Sequence, residues 1–72
     1  MKKQKFIIRY DDNTEWCYLT RVEENKVAQI SKTYSAGVIE FETREEAETV
    51  LSKLLHPSGN KLKSAEVIPV YN

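Results

Sequence analysis

Few side chains in this chain of 72 residues have the types and spacing that covalent or metal chemistry needs. His56 is the only histidine and directly precedes Pro57, and Cys17 is the only cysteine. Glu40 and Glu42 lie two residues apart, but no base or nucleophile accompanies them. A covalent catalyst needs a nucleophile beside a base, and a structural zinc site needs a cluster of cysteine and histidine ligands. We therefore expect a protein that is not an enzyme and that holds no metal and no cofactor.

A second group of residues suits binding rather than catalysis, and it comprises Ile7, Arg9, Trp16 and Tyr18. Strand alternation predicts that these side chains share one face of a sheet, with Arg9 opposite Trp16. Trp, Tyr and Arg are the side chains most enriched at the hot spots of protein interfaces. The pattern therefore predicts a partner-binding surface. An alternative interpretation is that these are cross-strand pairs that only stabilise an exposed sheet, by about 0.2–1 kcal/mol each.

The elements that position these residues begin with four strands, read from alternating hydrophobicity and short turns. The predicted strands are 5–10, 15–22, 26–33 and 37–42. The predicted turns are Asp12-Asn13, Glu24-Asn25 and Ser35-Ala36. These turns predict seven facing pairs: Ile8 with Cys17, Phe6 with Leu19, Arg9 with Trp16, Leu19 with Ile30, Tyr18 with Ser31, Ile30 with Phe41, and Lys32 with Ile39.

The hydrophobic residues of these strands agree on one face of the sheet. A slip of one residue would turn a strand over, so their agreement supports the predicted registers. The set predicted to face the core is Phe6, Ile8, Cys17, Leu19, Ala28, Ile30, Ile39 and Phe41.

One helix is predicted within residues 41–60, FETREEAETVLSKLLHPSGN. Thr43 and Glu46 fit the S/T-x-x-E capping box at its start. Pro57 disfavours helical geometry in the residue before it and ends the helix. The apolar stripe at helical spacing is Ala47, Val50, Leu51, Leu54 and Leu55. We expect this helix to cover the hydrophobic face of the sheet and to leave the other face bare.

A last strand is predicted at 65–71, AEVIPVY. Pro69 has no N–H to donate, which places this strand at a sheet edge. It could pair with the first strand or with the fourth, and we expect the first. The predicted fold class is α+β: a two-layer, four-stranded antiparallel β-meander with one covering helix and a C-terminal edge strand (ββββαβ), in a single domain of residues 1–72.

The charges balance, with 11 basic and 11 acidic residues, so net charge exerts no pull toward nucleic acid or membrane. The apolar run in the N-terminal stretch MKKQKFIIRYDD is too short for a secretory signal or a membrane span. With a lone cysteine as well, the sequence predicts a cytoplasmic protein. The alternative function is the binding of single-stranded nucleic acid through a basic and aromatic group: Lys2, Lys3, Lys5, Arg9, Trp16 and Tyr18.

Self-association is a further expectation, because small chains without a disulfide or a metal often gain stability from it. The predicted strand at 37–42 has only Glu40 and Glu42 to discourage pairing at a sheet edge. We therefore expect a homodimer, formed through that edge or through the Trp16 face.

The stretch AGVIEFETREEAETVLSKL followed by AEVIPV resembles the second half of an RNA recognition motif. That family stacks bases on strand aromatics, but the two stacking positions here fall on Ala36 and Val38. The first half of the chain also has no room for the first helix of the family. We therefore carry over no base-stacking residue.

The whole chain resembles small proteins encoded by phages and prophages. The resemblance is carried by KFII in the first strand, by FETREEAE around the helix start and by the proline in the last strand. It implies a non-enzymatic protein that binds a host or phage partner, with inhibition of a defence system as one such role. It assigns no functional residue.

Overall fold

A computed structural model describes residues 4–12, 15–34 and 37–71 of the chain. Within these ranges the elements are β1 (Gln4–Asp12), β2 (Glu15–Glu23), β3 (Lys26–Ser31), α1 (Arg44–Lys53) and β4 (Ala65–Tyr71). The strands form one antiparallel sheet in the order β3-β2-β1-β4, and α1 packs against β1 and β4. The predicted α+β class is confirmed, and so is the pairing of the last strand with the first.

The start of the helix agrees with its predicted cap. Thr43 is the N-cap, and its hydroxyl accepts the backbone N–H of Glu46 at 3.1 Å. Glu45 and Glu46 occupy the first turn, and Lys53 occupies the last. Carboxylates near the positive end of the helix dipole and an ammonium near the negative end both stabilise the helix.

The helix ends earlier than predicted: its C-cap is Leu54, not a residue beside Pro57. The N–H of Leu55 donates to the carbonyl of Asn25 at 2.8 Å, and the carbonyl of Leu55 accepts the N–H of Val27 at 2.9 Å. Both partners belong to the β2–β3 hairpin. Hydrogen bonds to the sheet therefore take the chain out of helical geometry before the proline is reached.

The core lies between α1 and one face of the sheet. Its buried residues are Ile8, Tyr10, Cys17, Leu19, Val27, Ala47, Leu54 and Val67. A fully buried Val, Leu or Ile side chain contributes about 1.5–3 kcal/mol to the stability of the fold relative to an exposed one. The prediction that Ile8, Cys17 and Leu19 face the helix is confirmed.

The β1–β2 pairing differs from the predicted register by two residues. Cys17 lies opposite Tyr10 rather than Ile8, and Arg9 lies opposite Tyr18. A shift of two residues leaves every side chain on its original face, so hydrophobic alternation does not distinguish the two registers. The predicted turn includes Asn13, which lies outside the described residues.

The β2–β3 hairpin turns at Glu24 and Asn25, as predicted. Both residues have positive φ, 52° and 65° respectively, as a two-residue turn of type I′ requires. The predicted pairs of this hairpin are confirmed: Leu19 with Ile30 and Tyr18 with Ser31.

The β2–β3 pairing shifts between Leu19 and Val22, which changes the face that β3 turns toward the helix. Val22 pairs with Val27, and Val27 is buried in the core. Ala28 is exposed and Ile30 is 37% exposed. The prediction that Ala28 and Ile30 lie in the core is wrong. At Ala28 a bulge interrupts the two-residue period of the strand. Ile30 shares the face of its partner Leu19, but it lies on the edge strand β3, whereas α1 packs against β1 and β4.

The prediction of a fourth strand at 37–42 paired with β3 is also wrong. The backbones of Phe6 and Phe41 exchange two hydrogen bonds, at 2.9 and 2.7 Å. The N–H of Ile39 donates to the carbonyl of Leu19 at 2.9 Å. The segment is therefore bonded to β1 and β2, and the predicted pairing of Phe6 with Leu19 is replaced by bonds from both residues to this segment.

The segment 39–41 occupies the place where β1 and β2 part. These two strands pair with each other along residues 9–12 and 15–18, and the segment bonds to each of them beyond that stretch. The sheet thus forks, and the segment fills the fork. The edge at 37–42 that we expected to be open to a second copy is internal, while the predicted turn at 35–36 lies outside the described residues.

Pro69 lies at the outer edge of the sheet and costs it no hydrogen bond. Phe6 is the residue opposite Pro69, and it directs both its N–H and its carbonyl to Phe41, away from β4. The nitrogen of Pro69 therefore points outward, where a missing N–H breaks no bond of the ladder. A missing donor on an outer edge also discourages pairing with another chain.

We expect Thr43→Ala to lower the free energy of unfolding by about 1 kcal/mol, because it removes the side-chain acceptor at the helix start. Urea denaturation measures the change. Thr49→Ala is the matched control, since the Thr49 hydroxyl bonds to the Glu45 carbonyl within the helix and alanine is the better helix former. Equal losses from the two variants would contradict a specific role for the cap.

Candidate partner-binding surface

Arg9, Trp16 and Tyr18, three of the predicted binding residues, lie together on the sheet face opposite α1. Tyr18 stands between Cys17 and Leu19, whose side chains are in the core, so it points the other way. The Cζ atom of Arg9 lies 4.2 Å from the centroid of the Trp16 ring. The predicted contact of Arg9 with Trp16 is therefore present, although it is made diagonally across the pairing.

Arg9 is held in place by Glu66, which lies opposite it on β4. Arg9 Nε donates to Oε1 of Glu66 at 2.7 Å, and Nη2 donates to the same oxygen. Hydrogen bonding to Glu66 raises the pKa of Arg9, and the Tyr18 hydroxyl adds to this effect. The guanidinium is thus charged, oriented and stacked on Trp16. Sequence reasoning missed Glu66, because its position opposite Arg9 depends on the register of β1 with β4.

Tyr34 extends this group beyond the strands. Its ring centroid lies 6.2 Å from that of Tyr18, with an interplanar angle of 51°. Its hydroxyl donates to Oε2 of Glu40 at 2.6 Å, and this hydrogen bond raises the pKa of Tyr34 above its ordinary value. Tyr34 is therefore a neutral donor, and Glu40 holds its ring beside Tyr18.

Tyr34 was not among the predicted site residues, because the chain leaves β3 earlier than expected. The Ser31 hydroxyl donates to the carbonyl of Thr33 at 2.7 Å and accepts its N–H at 3.3 Å. A serine that bonds to the backbone two residues ahead makes a local turn and competes with the strand ladder. Ser31 was the signal in the sequence that could have placed this turn.

We call Arg9, Trp16, Tyr18 and Tyr34 the aromatic face. Trp16 is 40% exposed and Tyr34 is 44% exposed. Arg9 contacts Trp16 and lies directly opposite Tyr18 in the sheet, and the Tyr18 ring lies beside Tyr34. The result is one continuous surface with an exposed aromatic ring at each end.

Ile7 is the predicted binding residue that does not belong to this surface. It stands between Phe6 and Ile8, which pack toward the helix, so it points to the opposite side, yet it is 0% exposed. Val38, beside the core-packed Ile39, is also buried, at 5% exposed. The prediction that Ile7 lies open to a partner is wrong, because this end of the sheet face is covered.

Ion pairs neutralise cations of the sheet. Lys5 pairs with Glu42, Arg9 with Glu66, Arg21 with Glu23, and Lys32 with Glu15. Within the aromatic face, the charge of Arg9 is compensated by the carboxylate that orients it. The face is therefore apolar and aromatic in character, without an excess of positive charge.

The cysteine and the histidine both lie away from the aromatic face. Cys17 is 1% exposed in the core, and the His56 ring packs edge-on against Tyr10, another core residue. In the part of the chain that the structure covers, no three His, Cys, Asp or Glu side chains are grouped as metal ligands. Of the described helical segments, none has the length and apolar character needed to cross a bilayer.

Comparison with protein-family models, curated proteins and solved structures finds no match to this chain.

Proposed function

We propose that this chain is a small, non-enzymatic protein-binding module that uses the aromatic face. The observation that carries the proposal is the fixed Arg9, which Glu66 orients by two hydrogen bonds beneath the Trp16 ring. Trp, Tyr and Arg dominate binding hot spots. Side chains that are already ordered before binding lose less conformational entropy when a partner docks.

A protein partner suits this face better than nucleic acid does. Single-stranded nucleic acid needs aromatic rings for its bases and cations for its phosphates. Trp16 and Tyr34 could supply the rings, and this favours nucleic acid as the second candidate. Arg9, however, is already paired with Glu66, and Lys5 is paired with Glu42.

We place the partner in the host of a phage, on the strength of the likeness to phage- and prophage-encoded proteins. The chain would then inhibit a host or defence protein by occupying its surface. Cys17 is a buried thiol, which suits a reducing compartment such as the cytoplasm.

Trp16→Ala is expected to weaken partner binding by at least about 2 kcal/mol, or about thirtyfold, because it removes an exposed hot-spot aromatic. Immobilised wild-type and variant chains would be compared for the proteins that they capture from a host lysate, followed by titration of the captured protein. Tyr71→Ala is the matched control, since Tyr71 is a 65% exposed aromatic on β4 outside the aromatic face. Equal binding by Trp16→Ala and wild type would refute the proposal.

Two further measurements separate the other uses of this face. A titration of Trp16 fluorescence with a mixed oligonucleotide at low salt would show saturable quenching if the face binds nucleic acid. Light scattering distinguishes a monomer of 8.4 kDa from a homodimer, in which a second copy of the chain would occupy the aromatic face. A dimer that Trp16→Ala dissociates would mean that the aromatic face binds its own copy.

A further inference from the structure

A cavity of about 250 Å³ lies between the end of β1 and the loop that follows α1. The lining residues with polar side chains include Tyr10, Asp11, His56, Ser58, Lys61 and Lys63. Pockets for drug-sized ligands measure about 300–1,000 Å³. The cavity therefore has room for a small ligand only, and it is separate from the aromatic face.

Lys61 and Lys63 differ from the paired cations Lys5, Arg9, Arg21 and Lys32. Both are exposed, and neither has an ion-pair partner among the residues that the structure describes. Asp11 is the acidic residue of the lining, so the lining residues carry two positive lysine charges against one negative carboxylate charge. A local excess of positive charge in a chain with zero net charge favours a negatively charged ligand.

His56 adds a hydrogen-bond donor to this lining. Its Nδ1 accepts the backbone N–H of Ser58 at 3.1 Å and lies 2.9 Å from the Ser58 hydroxyl oxygen. A backbone N–H only donates, so Nδ1 is an acceptor and the proton of the neutral ring is on Nε2. The Tyr10 ring, 6.4 Å away and nearly perpendicular, fixes the imidazole from one side.

The loop that carries His56 is held by its own backbone. The N–H of His56 donates to the carbonyl of Asn60 at 2.8 Å, and the N–H of Gly59 donates to the carbonyl of His56 at 2.7 Å. Gly59 has φ of +96°, a conformation that glycine adopts without strain. The backbone of this loop is thus held in place before any ligand arrives.

We infer that this cavity binds a phosphate group, either as inorganic phosphate or as the phosphate of a small hydroxylated metabolite. Lys61 and Lys63 would neutralise the phosphate oxygens, and the imidazole N–H would donate to one of them. This inference is independent of the proposed protein-binding function.

The test is a titration of the full chain with inorganic phosphate and, separately, with glycerol phosphate. Amide NMR spectra recorded at each step, at constant pH and ionic strength, detect binding. We expect saturable shifts at residues 56–63 with a dissociation constant in the millimolar range or below. Tighter binding of glycerol phosphate would assign the organic source, and equal binding would assign inorganic phosphate. Sodium chloride is the reference salt.

The double variant Lys61→Gln/Lys63→Gln is expected to weaken phosphate binding by about fivefold to tenfold, because it removes two charged partners. Lys53→Gln is the control, since Lys53 is an exposed lysine of α1 outside the cavity. Amide shifts in the sheet verify that the double variant is folded. The inference is overturned if chloride and phosphate give the same unsaturated shifts, or if the double variant binds phosphate as wild type does.

Discussion

Ile7→Ala is expected to lower the free energy of unfolding by about 3 kcal/mol, within the range for fully buried aliphatic residues. Ile7 is 0% exposed although it faces away from α1. A domain of this size has a stability of roughly 4–11 kcal/mol, so the substitution would remove a large fraction of it. The melting temperature should fall by at least about 10 °C. Urea and thermal denaturation, followed by circular dichroism, measure both effects.

Ile30→Ala is the matched control for this prediction. It makes the same chemical change in another strand of the same sheet, at a residue that is 37% exposed. We expect a loss of about 1 kcal/mol, because less apolar surface returns to water and no closed cavity is left. Similar small losses at both positions would mean that the face around Ile7 is open to solvent, as the sequence alone predicts.

The features that could be predicted from the sequence depend on interactions between residues close in the chain. The cap at Thr43 and the turn at Glu24 and Asn25 are both of this kind. Strand alternation also placed Ile8 and Cys17 on the helix side, because face assignment survives a register error of two residues. Local chemistry and periodicity thus account for the helix, one hairpin and most of the β1 and β2 core.

The features that could not be predicted depend on contacts between distant segments. The apolar and polar residues of segment 39–41 alternate as they do in an edge strand. Nothing in these residues indicates that the segment lies between β1 and β2. The residues around the bulge between Leu19 and Val22 do not indicate it either. Yet because of this bulge Val27 is buried in the core and Ala28 is exposed. Periodicity specifies faces, whereas neighbours across a sheet are set by tertiary packing.

The candidate site divides in the same way. Arg9, Trp16 and Tyr18 could be grouped from alternation alone; Arg9 contacts Trp16 and lies directly opposite Tyr18. Glu66 and Tyr34 join them through the β1–β4 register and through the turn at Ser31. The residues that join the face through tertiary contacts, including the Glu66 that orients Arg9, are therefore the ones that could not be predicted from the sequence.

Ile39→Pro is expected to lower the free energy of unfolding by about 2 kcal/mol more than Ile39→Ala does. Both variants remove the isoleucine side chain, but only proline removes the N–H that donates to the Leu19 carbonyl at 2.9 Å. A buried carbonyl that loses its donor carries an energetic penalty of about 1–3 kcal/mol. Urea denaturation of the two variants isolates this backbone term, since the alanine variant controls for lost packing.

The location of the perturbation tests the fork itself. If segment 39–41 lies between β1 and β2, the amide shifts that distinguish Ile39→Pro from Ile39→Ala should centre on Leu19 and Phe6. A hairpin with β3 would instead place them at Lys32, the residue opposite Ile39 in the predicted register. Because Glu40 in this segment accepts the Tyr34 hydroxyl, a displaced segment should also free the Tyr34 ring from Tyr18. The proline variant would then weaken binding at the aromatic face through Tyr34, without any change to Trp16 or Arg9.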